Sequence, residues 1–178
     1  MLNRLSKEID PLGFETSYTY DALGNLASRL DANGTLLQYR YQVNLLEAIL
    51  DGDGNPLSEW TYDTVGRRQT AVNAKVSLEY QYDALSRPSA VVNHTLGKTL
   101  DYTYDANGNR EVMVGPRGPI EYFYDTRNRL VEMRDPATGN YNFEYDALGR
   151  RIRLAYPNGV DTTLHLRRRQ PPPHPDHP

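Results

Sequence analysis

The sequence predicts an all-β protein in which tandem β-hairpins form one long, twisted antiparallel strip. Three observations lead to this prediction. A motif recurs seven times with a period near 21 residues, aromatic and polar residues alternate inside each copy, and turn-forming residues follow at fixed offsets. The repeats follow one another without a linker and without helical periodicity. Each repeat therefore reads as a strand, a turn, a second strand and a second turn.

Each copy contains two aromatic residues separated by one residue that is mostly polar. The second aromatic falls at positions 20, 41, 62, 82, 104, 124 and 145, so the intervals are 21, 21, 20, 22, 20 and 21. Side chains at positions i and i+2 of a strand share one face, which predicts a strand with one apolar face. The pairs are Tyr18 and Tyr20, Tyr39 and Tyr41, Trp60 and Tyr62, Tyr80 and Tyr82, Tyr102 and Tyr104, Tyr122 and Tyr124, and Phe143 and Tyr145.

These pairs are expected to stack in register as two aromatic columns across the sheet. Each cross-strand aromatic contact would then contribute about 0.2–1 kcal/mol. The phenol hydroxyl allows a tyrosine column to stay partly hydrated, which suits a thin sheet with a wide wet surface.

The first turn of each copy is predicted from an aspartate and, three residues later, usually a glycine. This spacing is typical of a type I turn that closes a hairpin with a bulge, because glycine supplies the positive φ. Asn128 and Ser86 replace the glycine in two copies, and in the second copy Asn44 is expected to supply the turn. The motif residues are Asp21, Asp63, Asp83, Asp105, Asp125 and Asp146, with Gly24, Gly66, Gly108 and Gly149.

A second strand and a second turn complete each copy. Leu26–Leu30 and Leu130–Arg134 are examples of the strand, and residues 31–34, 51–54, 135–139 and 157–159 are examples of the turn. One hairpin thus leads into the next, which predicts fifteen or sixteen antiparallel strands in seven to eight hairpins.

The repeat array is predicted to occupy residues 1–166, with seven full copies and a partial copy at each end. Asn3-Arg4-Leu5 repeats Asn128-Arg129-Leu130, so the sequence is expected to be a piece of a longer array. Residues 167–178 are rich in arginine and proline and are predicted to be a disordered tail. The arginines at its start are interpreted as a solvated charge run rather than a phosphate site.

Composition excludes several classes of site. The chain has no cysteine, so a disulfide framework, a thiolate zinc site and a cysteine nucleophile are impossible. A formal net charge of −3 gives no reason to expect nucleic acid as a partner. No apolar run is long enough for a membrane span, and the first residues lack the hydrophobic region of a signal peptide.

The candidate chemical sites are better explained as structure. Asp51-Gly-Asp-Gly-Asn55 opens like a calcium loop, but Pro56 and Tyr62 occupy the positions where the EF-hand pattern needs glycine and glutamate. The aspartates recur in nearly every hairpin, whereas a catalytic carboxylate pair would be a unique feature. His94 and His165 are isolated, and His174 and His177 lie in the tail. No catalytic residue, cofactor or metal is predicted, and the chain is not expected to be an enzyme.

The pattern Tyr-x-Tyr-Asp-x-x-Gly-Arg/Asn-Leu at this period resembles the RHS or YD repeat, over about residues 1–166. The RHS/YD family occurs in bacterial polymorphic toxins, in insecticidal toxin complexes and in animal teneurins. The resemblance implies a β-strip that spirals into a hollow shell around a toxin or other cargo. The family's core-associated region and cleavage motif are absent from this sequence, and Asp135-Pro136 belongs to a repeat turn, so no catalytic residue is carried over.

The expected function is therefore that of a non-enzymatic wall segment in a secreted or surface-displayed protein, bacterial in origin. Its partners would be the remainder of the parent shell and the toxin cargo. The alternative is a carbohydrate- or receptor-binding adhesion module that uses exposed tyrosine columns. Open strand edges at both ends are also expected to favour self-association.

Overall fold

The computed structural model describes residues 4–164, and every regular element in this range is a β-strand. The strands are β1 (Lys7–Ile9), β2 (Glu15–Tyr20), β3 (Leu26–Leu30), β4 (Leu36–Gln42), β5 (Leu45–Leu50), β6 (Pro56–Tyr62), β7 (Arg68–Asn73), β8 (Ser77–Tyr82), β9 (Pro88–Asn93), β10 (Lys98–Tyr104), β11 (Arg110–Gly115), β12 (Gly118–Tyr124), β13 (Leu130–Asp135), β14 (Gly139–Tyr145), β15 (Arg151–Ala155) and β16 (Asp161–Thr163). The predicted tail, residues 167–178, lies outside the described residues.

The order of the strands in the sheet is the order of the strands in the chain, and successive strands pair antiparallel. The 16 strands confirm the predicted all-β hairpin array. The chain divides into two compact units, Met1–Leu100 and Asp101–Pro178, with the boundary inside β10. No helix among residues 4–164 is both long enough and apolar enough to cross a membrane.

The first turn has the predicted geometry in six of the seven copies. In the β2–β3 turn, the Gly24 amide donates to the Asp21 carbonyl at 3.1 Å, and the Asp21 amide donates to the Asn25 carbonyl at 2.9 Å. Gly24 has a φ of +94°, and Ser86 and Asn128 adopt +63° and +57° at the corresponding positions of their turns. These values confirm a type I turn followed by a left-handed residue.

The second copy turns differently from the prediction. Gln42 pairs directly with Leu45, which leaves a two-residue loop, and the left-handed residue is Val43 at a φ of +58°. The expectation that Asn44 supplies the turn is therefore wrong. The shorter loop moves the positive φ to its first residue, where the sequence places a β-branched side chain that is ill suited to this conformation.

A register shift precedes the second aromatic of each of the seven copies, beside the turn where the sequence predicts a hairpin with a bulge. In the first copy, Thr19 lies opposite Ser28 while Tyr20 lies opposite Leu26, so Ala27 is an extra residue on β3. Such bulges bend the strand and increase its twist. Each hairpin is therefore deformed at the same distance from its turn.

The aromatic residues do not form continuous columns. The strand opposite each aromatic pair belongs to the second segment of the copy, so Tyr39 faces Ile49, Trp60 faces Ala71 and Tyr122 faces Met133. The expectation of direct aromatic pairs across neighbouring strands is wrong, because the register interposes an aliphatic-rich strand. Most aromatic side chains lie opposite an aliphatic one instead, which is also a favourable cross-strand pairing, and others lie opposite an arginine, as Tyr62 does with Arg68.

The sheet has no core of the usual kind. Among the described residues, Ala48 and Ala90 are buried, at 0% and 6% exposure, and no large side chain is fully buried. The face opposite the aromatic side chains is largely polar, and hydroxyl pairs such as Thr61 with Thr70, 2.7 Å apart, bridge its strands. Stability must therefore come from contacts between neighbouring strands, as in other repeat proteins.

Replacing Val43 with glycine should stabilise the chain by about 1 kcal/mol. Relief of the left-handed conformation contributes on the order of 1–3 kcal/mol, and the greater conformational entropy of glycine in the unfolded chain offsets part of it. Urea unfolding of the full chain measures the change. Val65→Gly is the matched control, since Val65 is equally exposed at 71% but lies outside the left-handed region. The control should be destabilised by several tenths of a kcal/mol. Equal changes in both variants would contradict strain at Val43.

Candidate functional site

The recurring site of this molecule is the contact between successive hairpins at the end that carries the aspartate turns. We call this contact the joint. It consists of the second tyrosine of one hairpin, together with the first turn of the preceding hairpin, which is an aspartate turn except in the second copy, and the two residues that follow that turn. In the joint between the second and third copies, the Tyr62 hydroxyl donates to the Leu46 carbonyl at 2.7 Å. The same bond joins Tyr20 to Leu5, Tyr82 to Arg68, Tyr124 to Arg110 and Tyr145 to Leu130, at 2.7–3.0 Å.

The carbonyl is available because the backbone ladder between hairpins stops short of the joint. Between β5 and β6, the pair nearest the aspartate turns is Ala48 with Glu59, two residues beyond Leu46. Backbone pairing with β6 therefore does not reach the Leu46 carbonyl. A carbonyl left outside a ladder needs another donor, and the Tyr62 hydroxyl provides it.

The aspartate of each turn organises the other half of the joint. Asp125 Oδ1 accepts from the backbone amides of Arg127 and Arg129 at 2.9 and 3.0 Å. Its Oδ2 accepts from Arg129 Nε at 2.8 Å and from Nη2 at 2.6 Å. The Arg129 side chain, followed by its backbone amide, lowers the pKa of Asp125 to about 2. The pKa values of Asp21, Asp63, Asp83, Asp105 and Asp146 are also lowered.

The residue after the glycine position connects its own turn to the next hairpin. Arg67 Nε donates to Asp63 Oδ2 at 2.6 Å, and Arg67 Nη1 donates to Ser86 Oγ at 3.0 Å. The same guanidinium lies over the Tyr82 ring, 4.6 Å from its centroid. One arginine thus fixes an aspartate, a tyrosine and the next turn, which suits the planar, permanently charged guanidinium. Arg129 lies over Tyr145 at 4.7 Å, and Arg4 lies over Tyr20 at 5.0 Å.

Asparagine fills this position in two copies. Asn25 Nδ2 donates to Asp21 Oδ2 at 2.9 Å and to the Val43 carbonyl at 3.1 Å. Asn109 Nδ2 donates to Asp105 Oδ2 at 2.9 Å and to Asn128 Oδ1 at 3.0 Å. Asparagine therefore makes the link from turn to turn without placing a cation over the next tyrosine ring.

The left-handed position of each turn also belongs to the joint. A Cβ atom on Gly24 would lie 2.6 Å from Arg4 Nη1, so glycine provides both the positive φ and the space for the arginine. Ser86 and Asn128 occupy the same position in other turns and accept hydrogen bonds from the preceding copy. These two exceptions to glycine thus add an acceptor to the joint.

The structure divides the predicted motif residues into two groups. The second tyrosines, the aspartates and the left-handed residues lie at the joints. The first aromatics lie farther along the strands, opposite second-segment residues; they are Tyr18, Tyr39, Trp60, Tyr80, Tyr102, Tyr122 and Phe143. The sequence prediction missed the connecting residues as site residues, although arginine or asparagine follows the glycine position in six of the seven copies: Asn25, Arg67, Arg87, Asn109, Arg129 and Arg150.

The calcium-like loop has the geometry of a turn. Asp51 Oδ1 accepts from the amides of Asp53 and Asn55 at 3.0 and 2.8 Å, and Asn55 Nδ2 donates to Asp51 Oδ2 at 3.1 Å. The part of the chain that the structure describes contains no group of three or more histidine, aspartate or glutamate residues placed to hold a metal ion. The Asp51 carboxylate therefore serves its own backbone, as the turn interpretation predicts.

Removing the hydroxyl of Tyr82 should destabilise the chain by about 1 kcal/mol, the net contribution of one hydrogen bond, because Tyr82→Phe leaves the Arg68 carbonyl without its donor. The ring stays available to Arg67. Urea unfolding measures the loss. Tyr80→Phe is the matched control, since Tyr80 lies on the same strand and face but opposite Val91, away from the joint. If Tyr80→Phe lost as much stability as Tyr82→Phe, the hydrogen bond at the joint would not be the cause of the loss.

The aspartate turns should make stability fall in acid. The pKa of Asp125 in the folded chain is about 2, against 3.8 for the free group, so its ionised form stabilises the fold above about pH 4. That contribution is lost as the pH falls towards 2. Thermal unfolding between pH 5 and pH 2 should therefore show a shallower pH dependence for Asp125→Asn than for the wild type. Thr126→Asn, at the next exposed turn position, should keep the wild-type pH dependence. If the stability of Asp125→Asn fell with pH as steeply as that of the wild type, Asp125 would not be a source of the acid sensitivity.

Comparison with known proteins places this hairpin array in a family. The profile of the teneurin YD-shell matches residues 41–170, and the profile of the RHS repeat matches residues 2–36. Comparison with curated proteins gives no significant match.

Several solved structures share the fold. They include the Photorhabdus luminescens Tc holotoxin pore in a form mutated in TccC3, with a TM-score of 0.70 and 19% identity, covering 84% of this chain and 9% of that one. TcdB2–TccC3–TEV gives a TM-score of 0.71 at 18% identity, and TcdB2–TccC3 without its hypervariable C-terminal region gives 0.70 at 20% identity; in both, 84% of this chain and 10% of the other are covered. This chain thus spans about a tenth of the length of the proteins it resembles. Because the YD-shell profile alone covers well over half of the sequence, the chain belongs to the teneurin YD-shell family and carries the RHS repeats that its motif resembles.

Proposed function

We propose that this chain is a non-enzymatic wall segment of an RHS/YD shell, which encloses or presents toxin cargo made elsewhere in the parent protein. The joint is the observation that carries the proposal. The same tyrosine, aspartate and arginine or asparagine contacts recur from hairpin to hairpin, as between Arg67 and Tyr82 and between Arg129 and Tyr145. A structure that grows by repeating one contact suits a wall, because each added hairpin supplies the binding surface for the next.

The two faces of the sheet support the same proposal. One face presents half-buried aromatic and aliphatic side chains, and the other presents hydroxyl pairs and ion pairs such as Arg40 with Glu47 at 3.1 Å. A wall separates two environments, so a thin sheet with chemically different faces fits that role. A catalytic pocket, by contrast, normally needs a concave site with a few converging polar groups.

The likeness to Tc toxin proteins supports the proposal that the parent protein also contains cargo. One similar structure is described as TcdB2–TccC3 without its hypervariable C-terminal region, and another as TcdB2–TccC3–Cdc42. A constant shell with an exchangeable C-terminal portion is the arrangement we extend to the parent of this chain. We accordingly place the parent protein outside the cell that makes it, as a secreted or surface-displayed protein of bacterial origin.

The adhesion alternative has less support from the tyrosines that it would use. The Tyr82 hydroxyl donates to the Arg68 carbonyl at 2.7 Å, and the Tyr82 ring lies under Arg67. A ring that already contacts a guanidinium on one side offers less surface for stacking against a sugar. The joint tyrosines are therefore assigned to holding the sheet together.

The test is protease protection in the parent protein that contains this chain. An epitope tag at the parent's C-terminus should be cut slowly when the wall is intact, because the shell excludes the protease. The double variant Arg67→Ala with Tyr82→Phe removes one joint and should expose the tag. Lys75→Ala, at an exposed turn away from the joints, should keep the wild-type rate.

Cutting of the wild-type tag as fast as that of an unprotected tag would overturn enclosure, and slow cutting of the double variant would overturn the role of the joint in it. The same proteins can be applied to a glycan array. Binding by the wild type that is lost in Tyr82→Ala while circular dichroism shows an intact fold would favour the adhesion function instead.

A further inference from the structure

Two positions of the joint vary from copy to copy, and they vary together. One is the first of the two residues that follow a turn, which we call the connecting residue. The other is the left-handed residue of the next turn. In sequence order, the seven pairs of connecting and left-handed residues are Arg4 and Gly24, Asn25 and Val43, Leu45 and Gly66, Arg67 and Ser86, Arg87 and Gly108, Asn109 and Asn128, and Arg129 and Gly149.

Asparagine is the connecting residue only where the next turn presents an oxygen within reach of a short side chain. Asn109 Nδ2 donates to Asn128 Oδ1 at 3.0 Å, and Asn25 Nδ2 donates to the Val43 carbonyl at 3.1 Å. The other five left-handed residues are glycine or serine, and each of them follows a connecting arginine or leucine. A long connecting side chain is thus paired with a small left-handed residue, and a short one with an oxygen that reaches towards it.

The space at the joint explains why the long side chains need a small partner. A Cβ atom on Gly24 would lie 2.6 Å from Arg4 Nη1, which is too close for any side chain unless the arginine moves. A Cβ atom on Gly149 would lie 3.8 Å from Arg129 Nη1, so it would already be in van der Waals contact and a longer side chain would collide. The connecting side chain therefore ends where a left-handed side chain would begin.

We propose that each connecting residue and the left-handed residue of the next turn form a matched pair that specifies which hairpin docks on which. The tyrosine and aspartate contacts are nearly the same at every joint, so they do not distinguish one neighbour from another. The matched pair does, because an arginine collides with an asparagine, and a connecting asparagine opposite glycine loses its acceptor. Specificity then comes from a favourable contact together with an unfavourable alternative.

This specificity rests on the proposed function, because it supplies the order of neighbours that a wall of similar hairpins needs. Pairing with the wrong neighbour is a characteristic failure of repeat proteins, since each repeat offers nearly the same surface. A contact that differs between joints counters that failure without changing the turn. The inference concerns only neighbouring hairpins, and it holds whether or not the parent protein encloses cargo.

A double-mutant cycle at one joint of the full 178-residue chain tests the proposal. The proteins are the wild type, Asn109→Arg, Asn128→Gly and the double variant, which recreates the kind of pair that Arg129 and Gly149 form. The factor by which Asn109→Arg raises the unfolding equilibrium constant in urea should be at least about fivefold larger with the native Asn128 than in the Asn128→Gly background. Any gain from glycine at a left-handed position cancels, because both Asn128→Gly proteins share it.

Ser86→Gly is the matched control background. Ser86 is also left-handed, at a φ of +63°, but it accepts from Arg67 and belongs to the turn before that of Asn109. Asn109→Arg should therefore raise the unfolding constant by the same factor with Ser86→Gly as without it, within about twofold.

Equal factors with and without Asn128→Gly overturn the proposal, and so does an equal coupling to Ser86→Gly. If circular dichroism shows that Asn109→Arg alone does not fold, the proposal requires the double variant to fold, and an unfolded double variant overturns it. Urea unfolding of the chain reports only on contacts between hairpins. A negative result here therefore leaves the wall and its cargo to the protease test, and fast cutting in that test leaves the matched pairs untouched.

Discussion

The structure depends on a carbonyl that its own β-ladder leaves without a partner. Backbone pairing between hairpins stops two residues before Leu46, and the hydroxyl of Tyr62 supplies the missing donor. Phenylalanine could fill the same space but could not make this bond, which accounts for tyrosine at the second aromatic position of the five copies where the bond is present, whereas the first position also accepts tryptophan and phenylalanine. The requirement arises from geometry, because the bulge before each tyrosine bends the hairpin just where the ladder ends.

The charged residues of the joint connect each turn to the next hairpin. Asp63 holds its own turn and also receives Arg67, which reaches across to Tyr82 and Ser86 of the next hairpin. Each link is partly exposed, so each contributes modestly, as exposed ion pairs do. Because no large side chain among residues 4–164 is fully buried, these links are among the main contributions available, and they recur at nearly every step. Stability therefore accumulates along the sheet from nearest-neighbour terms and does not depend on a central core.

Local features of the fold were predictable from the sequence, and the features that depend on register were not. Alternation of aromatic and polar residues, with aspartate and glycine at fixed offsets, predicts the strands and the type I turns because those features need only neighbouring residues. Val43 was missed because a loop one residue shorter moves the positive φ, and the aromatic columns were wrong because an intervening strand sets the pairing. The motif contains Arg67, but its contact with the ring of Tyr82 was not predicted, because Tyr82 lies fifteen residues later in the sequence, on the next hairpin.

The joint also separates the positions that the fold constrains from those that it leaves free. The turn fixes the aspartate, the left-handed residue and the residue after it, but it accepts Val65, Asn107 or Arg127 at the tip with the same hydrogen bond from the backbone amide. A free position on every hairpin means that the sheet can carry different surface chemistry along its length without any change in its construction. In the first unit that freedom is used for apolar side chains on four consecutive turns, ending at Leu85.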